Sequence, residues 1–329
     1  MLAANPAVGH EACFVCQQSF CFSSHTDTAA GVESEMVFGP QHEGWQGIPH
    51  GGVAMTALLD LADHCWLRSK GKNLPYPIAV EWRFADAVKI GDKMHLKAEI
   101  KDKDIIFLSM QRQGSNKIYL KAEIRGGGSE LHKVDFTPPD PRIFFKPGAG
   151  HQALAVYDNC FVCGPKRQQP GLRRRFFKTV IKADNHAGRD TPAVIVRFGG
   201  AAERPQLAAA FQQAPGRLHP GVLAALLDEL CGWSGILAGD LYGYTVRFHL
   251  DIKRLPQRDE EFFGFSPTPA VKGRGARQFY LPQGVLYRKK EDDSLEIIAG
   301  ARGQWLAKEE LRQQFDVSHI DEELKGIKF

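Results

Sequence analysis

The sequence predicts an α+β fold made of two copies of one unit, in each of which an antiparallel sheet wraps around a central helix. Two observations predict it: two motifs recur in the same order in both halves of the chain, and each half then continues with a run of strand patterns. At 329 residues the chain also exceeds what one hydrophobic core usually organises. Length therefore favours two domains as well.

The first repeated motif is Cys-Phe-Val-Cys, at residues 13–16 and again at 160–163. The second is longer: GIPHGGVAMTALLD at residues 47–60 matches GRLHPGVLAALLD at 216–228, which is one residue shorter. Because both motifs recur in the same order at similar spacing, we interpret the chain as an internal duplication.

Each histidine motif leads into a predicted helix. In the second copy Val222, Leu226 and Leu230 recur at helical spacing and form an apolar stripe that would bury against a sheet. Alternating segments separated by turn residues then predict four strands in each copy. These predicted strands are 79–84, 95–100, 105–112 and 117–124 in the first copy, and 245–252, 261–265, 278–287 and 297–305 in the second.

A segment rich in proline and glycine, residues 137–150, separates the copies and is typical of a linker. We therefore predict one domain at 1–150 and a second at 151–329. The charged stretch after Trp305 is interpreted as a terminal helix on the surface.

The composition is that of an ordinary soluble protein, with 43% hydrophobic and 24% charged residues. A net charge of +4 without a basic stripe makes nucleic acid an unexpected partner. The N-terminus has no secretory pattern and we see no apolar run suited to a membrane span, so we expect a cytoplasmic protein that does not enter a membrane. Seven cysteines, an odd number, are expected to be reduced thiols.

No metal is expected. Four cysteines form two Cys-x-x-Cys pairs, but the pairs are 147 residues apart in the sequence (160 − 13). A zinc ribbon separates such pairs by about 15–20 residues.

The His-Gly-Gly segment at the start of the first helix favours anion or carbonyl binding. Glycines let the backbone approach a ligand closely, and the first amides of a helix are free and lie at the positive end of its dipole. Such amides can stabilise an oxyanion.

Residues 42–60, HEGWQGIPHGGVAMTALLD, resemble the signature of hotdog-fold acyl-CoA thioesterases of the phenylacetate type, in which a His-Gly-Gly turn opens the central helix. The Cys-x-x-Cys-Gly segment and the Pro-Gly-Leu at 170–172 look like the N-terminal segment of the same group. The two copies cover nearly the whole chain, which is similar to double-hotdog proteins. The resemblance implies a tandem hotdog fold and thioester hydrolysis on coenzyme A or an acyl carrier. It implies no cofactor beyond the coenzyme A of the substrate, and a homodimer of such chains is plausible.

The resemblance also implies a site shared between the two units, with amides from one helix start and a carboxylate from the other helix. His219 and Asp228 are nine positions apart, about 13 Å along a helix, so one helix cannot bring both groups to one carbonyl. The first composite site would combine the Gly51 and Gly52 amides with Asp228. In this site His50 is expected mainly to shape the turn.

Glu229 is a second candidate for that carboxylate, since it follows His219 by ten residues, as Asp60 follows His50. The other composite site would combine His219 and Gly221 with Asp60. There Pro220 replaces the first glycine and has no N–H to donate. We therefore predict one working site and one degenerate site, both in contact with the acyl thioester.

Two other functions remain open. One is a hotdog hydratase or dehydratase, for which an Asp-Asn-His segment at 184–186 offers an acid–base pair; the other is a non-catalytic acyl-thioester binding module. Two basic clusters are candidates for contact with the phosphates of coenzyme A. They are Arg173-Arg174-Arg175, expected on a strand, and Lys272 with Arg274 and Arg277.

Overall fold

The structure is a computed structural model that describes residues 10, 13–16, 20–22, 24–102, 104–126, 151–154, 156–167, 171–181, 190–198, 211–214, 216–239 and 241–314. Its centre is a pair of 20-residue helices, α1 (Gly51–Lys70) and α2 (Pro220–Gly239). A short third helix, α3 (Glu309–Gln314), begins the charged C-terminal stretch, in agreement with the predicted terminal helix. The predicted domain boundary near residue 150 falls in a segment, 127–150, that lies outside the described residues.

Strands form the larger part of the secondary structure in both halves and are numbered in chain order. The first half contains β1 (His25–Asp27), β2 (Gly31–Val37), β3 (Glu43–Trp45), β4 (Ile48–Pro49), β5 (Ile78–Phe84), β6 (Lys93–Asp102), β7 (Ile105–Arg112) and β8 (Ile118–Gly126). The second half contains β9 (Gln152–Ala153), β10 (Phe176–Ile181), β11 (Thr191–Phe198), β12 (Gln212–Ala214), β13 (Arg217–Leu218), β14 (Gly243–Ile252), β15 (Phe262–Pro267), β16 (Ala270–Lys272), β17 (Phe279–Leu281), β18 (Gln283–Lys289) and β19 (Leu295–Ala307).

One continuous antiparallel sheet joins the halves. Its strand order is β1-β2-β6-β7-β8-β5-β14-β19-β18-β15-β11-β10-β9, with β17 pairing on β19 and β16 on β17. The two halves meet where β5 pairs with β14, for example Val80 opposite Leu250. Each half of the sheet packs on its own helix, α1 on β2, β6 and β7 and α2 on β11, β15 and β18. The tandem arrangement of sheet and central helix is therefore as predicted.

The predicted strands after each helix are all present, with one difference. Residues 278–287 form two strands instead of one, because Pro282 has no N–H for a ladder hydrogen bond and separates β17 from β18. The strands that precede the helices, β1 to β4 and β9 to β13, were not among the predicted strands, and neither was the short β16. In β2 the alternation is obscured because a polar residue, Ser34, is buried between Val32 and Met36.

The two helices lie antiparallel and very close together. Gly52 of α1 faces Ala225 of α2, and further along Thr56 faces Gly221, so the residue numbers rise on one helix as they fall on the other. A Cβ on Gly52 would lie 2.3 Å from the Ala225 Cα, and a Cβ on Gly221 would lie 2.3 Å from the Thr56 hydroxyl. Any side chain at Gly52 would meet the Ala225 backbone, and any side chain at Gly221 would meet the Thr56 side chain, so glycine fits at both positions.

Helix α2 has the length and apolarity of a membrane span, although the sequence analysis expected no such run in the chain. It is 20 residues long with a mean hydropathy of 1.4 in its most apolar window. However, 78% of that window is buried inside the protein. This burial is what the central helix of a packed core shows.

Candidate active site

A histidine caps the start of each central helix. The Nδ1 atom of His50 accepts a hydrogen bond from the Gly52 N–H at 2.9 Å, and Nδ1 of His219 accepts one from the Gly221 N–H at 3.0 Å. Side-chain acceptors at this position satisfy amides that have no partner within the helix. The expectation that His50 shapes the turn matches this geometry.

The Gly51 amide and the Asp228 carboxylate meet across the two halves. Asp228 lies opposite the start of α1, and a Cβ on Gly51 would lie 3.0 Å from its Oδ2 atom. Within the described residues the Gly51 N–H has no acceptor, and Gly51 is partly exposed. Antiparallel packing of the helices thus places a free donor beside a carboxylate of the other copy.

The surroundings of Asp228 make it a stronger base than a surface aspartate. The side chain is only 7% exposed, and its Oδ1 atom accepts a hydrogen bond from Thr245 on β14 at 2.9 Å. Burial raises the pKa of Asp228 above its usual 3.8, and the hydrogen bond from Thr245 only partly opposes this rise. A carboxylate with a raised pKa suits general-base work.

His50 and Glu229 form a pair between the copies. The Nε2 atom of His50 lies 3.1 Å from Oε2 of Glu229, while Trp233 donates its indole N–H to Oε1. Burial works to raise the pKa of Glu229, but the contacts with His50, Cys163 and Trp233 together outweigh it, and the pKa is lowered. Glu229 is therefore the weaker base of the two neighbouring carboxylates.

The surroundings of His50 shift its pKa in opposite directions. Burial lowers its pKa, whereas the hydrogen bond to Glu229 and nearby acidic groups raise it, to about 9. The hydrogen bond from Gly52 opposes that rise, because it requires a lone pair on Nδ1. We assign the neutral ring with its proton on Nε2, donated to Glu229, since the Nδ1 contact is a well-formed amide hydrogen bond.

A cavity of about 440 Å³ opens beside Gly51 and Asp228. Both carboxylates, Asp228 and Glu229, reach its wall, and most of the remaining wall is apolar. A volume and lining of this kind are typical of small-molecule sites. Aromatic side chains in the wall include Trp45, Phe84, Tyr119, Trp233, Tyr242 and Tyr280.

The second composite site is closed. Asp60 and His219 meet as predicted, with Nε2 of His219 3.2 Å from Oδ1 of Asp60, but both side chains have 0% exposure. The N-terminal segment covers them: Cys13 donates its S–H to Asp60, and Phe14 packs edge-on against the His219 ring. Pro220 also provides no amide at this site. That the second site is degenerate stays a prediction.

The structure places all four residues predicted only as substrate contacts away from the cavity. The Gly52 amide is already bonded to His50, and Gly52 and Gly221 are buried in the helix–helix contact, so neither faces the cavity. Asp60 and His219 are sealed in the core. The structural counterpart of Asp60 is Glu229 and not Asp228. Asp60 pairs with His219, and Glu229 pairs with His50, so each contacts the histidine of the opposite copy.

The two basic clusters predicted to contact the phosphates of coenzyme A differ in their exposure to solvent. Residues 173–175 precede β10 and are not on a strand. Arg174 is 2% exposed, and its guanidinium carbon lies 5.0 Å from the Phe198 ring centre. Arg174 is therefore part of the core. Lys272, Arg274 and Arg277 are exposed around a hairpin, as solvated or ligand-binding cations would be. The acid–base pair sought at 184–186 lies outside the described residues.

Thr245 and Trp233 are functional candidates that the sequence reasoning missed. Thr245 sits on β14, which the strand pattern does predict, but its pairing with Asp228 depends on how β14 lies against α2. Trp233 follows Glu229 by four residues, so helical spacing places both on one face. This four-residue spacing is the sequence feature that could have identified Trp233 as a partner of Glu229.

Metal-ligating side chains also meet near the cavity, where His50, Cys160 and Glu229 place donor atoms within 4.8 Å of one another. The Cys160 sulfur accepts from the amides of Val162 and Cys163, and both Glu229 oxygens have donors of their own. Because these atoms already have hydrogen-bond partners, we interpret His50, Cys160 and Glu229 as a hydrogen-bonded cluster and not as a metal site.

No protein-family model and no curated protein sequence matches the chain. Among solved structures, it is similar to a provisionally assigned thioesterase from Novosphingobium aromaticivorans, at 14% identity and a TM-score of 0.53 over 87% of this chain and 99% of that one. It is also similar to the dehydratase domain of a mycocerosic acid synthase-like polyketide synthase, at 12% identity and a TM-score of 0.52, covering 88% and 96%. Likeness at these identities establishes the fold. The chain has a double-hotdog fold, as the sequence resemblance implied.

Proposed function

We propose that this double-hotdog chain hydrolyses acyl thioesters of coenzyme A at the composite site between its halves. The observation that carries the proposal is the meeting of the unpaired Gly51 amide and the Asp228 carboxylate at one cavity. Each group comes from a different copy of the repeat. The solved structure of similar fold that is provisionally assigned as a thioesterase supports this choice of reaction.

The oxygen of the substrate carbonyl would accept a hydrogen bond from the Gly51 N–H. This donor gains strength as negative charge develops on that oxygen in the tetrahedral intermediate. The dipole of α1 acts in the same direction, since Gly51 is its first residue. The acyl group would lie along the aromatic wall, which has room for a chain or ring of moderate size.

Asp228 would supply the base on the other side of the carbonyl. In one route it takes a proton from water, which attacks the carbonyl carbon; in the other its carboxylate attacks directly and the resulting anhydride is hydrolysed. Both routes end with a carboxylic acid and coenzyme A. Single turnover in ¹⁸O-water identifies the direct route when water opens the anhydride at the Asp228 carbonyl, because the first product then carries an unlabelled Asp228 oxygen.

A panel of acetyl-, hexanoyl-, dodecanoyl- and phenylacetyl-coenzyme A tests the proposed activity. Free coenzyme A is measured by chromatography, because the protein's own free cysteines would react with thiol reagents. We expect turnover of at least one member, with the acyl preference set by the aromatic wall. Absence of hydrolysis across the panel would contradict the proposal, and tight binding without turnover would instead indicate a binding module.

Hydration or dehydration of an acyl thioester is the second candidate. Its support is that His50 and Asp228, an imidazole and a carboxylate from opposite halves, approach to 3.5 Å beside the cavity, in a fold shared with a dehydratase domain. Against it, both ring nitrogens of His50 are already engaged, by Gly52 and Glu229. Incubation with an enoyl-coenzyme A and detection of the hydroxyacyl product by mass would favour this reaction.

A further inference from the structure

A dense cluster of potential metal ligands surrounds Asp60 at the closed composite site. His10, Cys16, Asp60 and His64 direct four donor atoms at one another, all within 4.8 Å. Nδ1 of His10 is 3.8 Å from the Cys16 sulfur, and Nε2 of His64 is 3.5 Å from Oδ2 of Asp60. Nδ1 of His10 also lies 3.2 Å from the other carboxylate oxygen, Oδ1 of Asp60. In a tetrahedral zinc site, bond lengths of about 2.0–2.3 Å place neighbouring ligand atoms roughly 3.3–3.7 Å apart.

The outer contacts of His10 orient it as a metal ligand. Its Nε2 atom hydrogen-bonds to Oδ2 of Asp63 at 2.8 Å, which leaves Nδ1 directed into the cluster. Asp63 is itself held by Asn73, Leu74 and Gln213. A histidine whose second nitrogen is bonded to a fixed carboxylate is the arrangement found around protein-bound zinc.

Several polar atoms of the cluster have no hydrogen-bond partner within the described residues. These are Oδ2 of Asp60 and both ring nitrogens of His64, and all three are buried. The other oxygen of Asp60, in contrast, accepts from Cys13 and His219. Leaving such atoms unpaired in the core is costly, whereas coordination to a cation would satisfy Oδ2 of Asp60 and one nitrogen of His64.

We propose that His10, Cys16, Asp60 and His64 bind one structural Zn²⁺ ion. Two neutral imidazoles, a thiolate and a carboxylate would balance the 2+ charge and complete a closed tetrahedral shell. His10, Asp60 and His64 are nearly or fully buried, so no position is left for a substrate. The ion would tie the N-terminal segment, through His10 and Cys16, to helix α1.

The second half of the molecule lacks this set of ligands. The positions equivalent by the repeat to His10 and His64 are Tyr157 and Trp233, neither of which is a usual zinc ligand. Trp233 instead donates its N–H to Glu229, the counterpart of Asp60. Only the first copy therefore carries the complete set among the residues described.

This proposal departs from the expectation of no metal, which rested on the long separation between the two Cys-x-x-Cys pairs. That separation does not matter if each pair stays with its own copy. Cys13 and Cys16 lie at Asp60, while Cys160 lies at Glu229. The missing ligands come from a histidine before the pair and from the central helix.

Metal analysis of the full, untagged chain tests the proposal. Protein from zinc-supplemented cultures is expected to contain about one zinc per chain, and Cys16→Ser or His64→Gln should lose most of it. Cys163→Ser is the matched control, because Cys163 is the repeat equivalent of Cys16, and it should keep its zinc. Removal of zinc by a chelator should lower the melting temperature of the wild-type chain.

Cobalt binding can be measured on the wild-type protein alone, so this test does not require that any variant folds. Metal-free wild-type protein titrated with Co²⁺ should develop the visible bands of a tetrahedral site and a thiolate charge-transfer band, both saturating at one equivalent. A wild-type chain with neither zinc nor a cobalt spectrum would overturn the proposal. So would zinc that persists in Cys16→Ser but disappears in Cys163→Ser.

Discussion

The two composite sites are built from the same parts but differ in what they can do. In each, a histidine caps one helix and pairs with a carboxylate ten residues beyond the histidine of the other copy, His50 with Glu229 and His219 with Asp60. These shared pairs hold the helices together. The proposed chemistry instead uses positions where the copies diverge: a glycine amide where the other copy has Pro220, and Asp228 where the other copy has a leucine.

Exposure separates the two sites further. The site with Gly51 and Asp228 opens into a cavity, whereas the site with Asp60 lies under the N-terminal segment with no exposed surface. After the duplication, one composite site thus opens on a cavity and the other is buried in the core. The shared motif indicates common origin, and the differences indicate which composite site is the candidate active site.

The largest expected effect separates the two aspartates. Asp228→Asn should lower kcat by about 10²–10⁴-fold, because the amide cannot act as a base, with little change in the melting temperature. Asp60→Asn should show the reverse, a lower melting temperature with turnover per folded molecule retained. Steady-state kinetics and thermal melts of both variants check this. Full activity in Asp228→Asn would exclude it as the base and leave Glu229 as the next carboxylate to test.

A second variant gives position 51 the residue that the closed site has at the equivalent position, Pro220. Gly51→Pro removes the proposed donor while keeping a residue that helices accept at their first position, and it should lower kcat by about 10²–10³-fold. Gly51→Ala is the control: it keeps the N–H but adds a Cβ close to Asp228. We expect Ala to retain clearly more activity than Pro. Equal losses would mean that crowding of Asp228, and not the amide, explains the effect.

The smallest expected effect concerns pH. Asp228 must be ionised to act, and burial raises its pKa, so kcat/KM should fall on the acid side at a pH above the usual 3.8 of an aspartate. The Thr245 hydroxyl stabilises the ionised form and lowers that pKa, so Thr245→Val should move the acid limb to higher pH. The plateau at higher pH should change little. Rate profiles that superimpose for the two proteins would show that Asp228 does not control this limb.

Much of the fold could be predicted from local patterns. The alternation of 105–112 corresponds to β7 residue for residue, and the helical stripe through Val222 and Leu230 lies within α2. The strand β2 was missed because Ser34 interrupts its apolar face. Patterns succeed where burial follows a simple period and fail where a polar residue occupies a buried position.

The candidate site was predicted in part because sequence spacing limits what one helix can reach. The pairing of Gly51 with Asp228 follows from their positions on two antiparallel helices. The role of Gly52 did not follow, because its amide is used by His50 and its surface by Ala225. Neither contact can be inferred from the glycine itself.

The sequence by itself determined the duplication, the two central helices and the loss of one amide donor, since repeats, periodicity and the chemistry of proline are local properties. Only the tertiary structure decided which carboxylates pair, which site is open, and that the N-terminal His10 and Cys16 meet Asp60 and His64. Those outcomes depend on the close antiparallel packing of α1 on α2 and on the path of the N-terminal segment. Both are set by contacts between residues far apart in the chain.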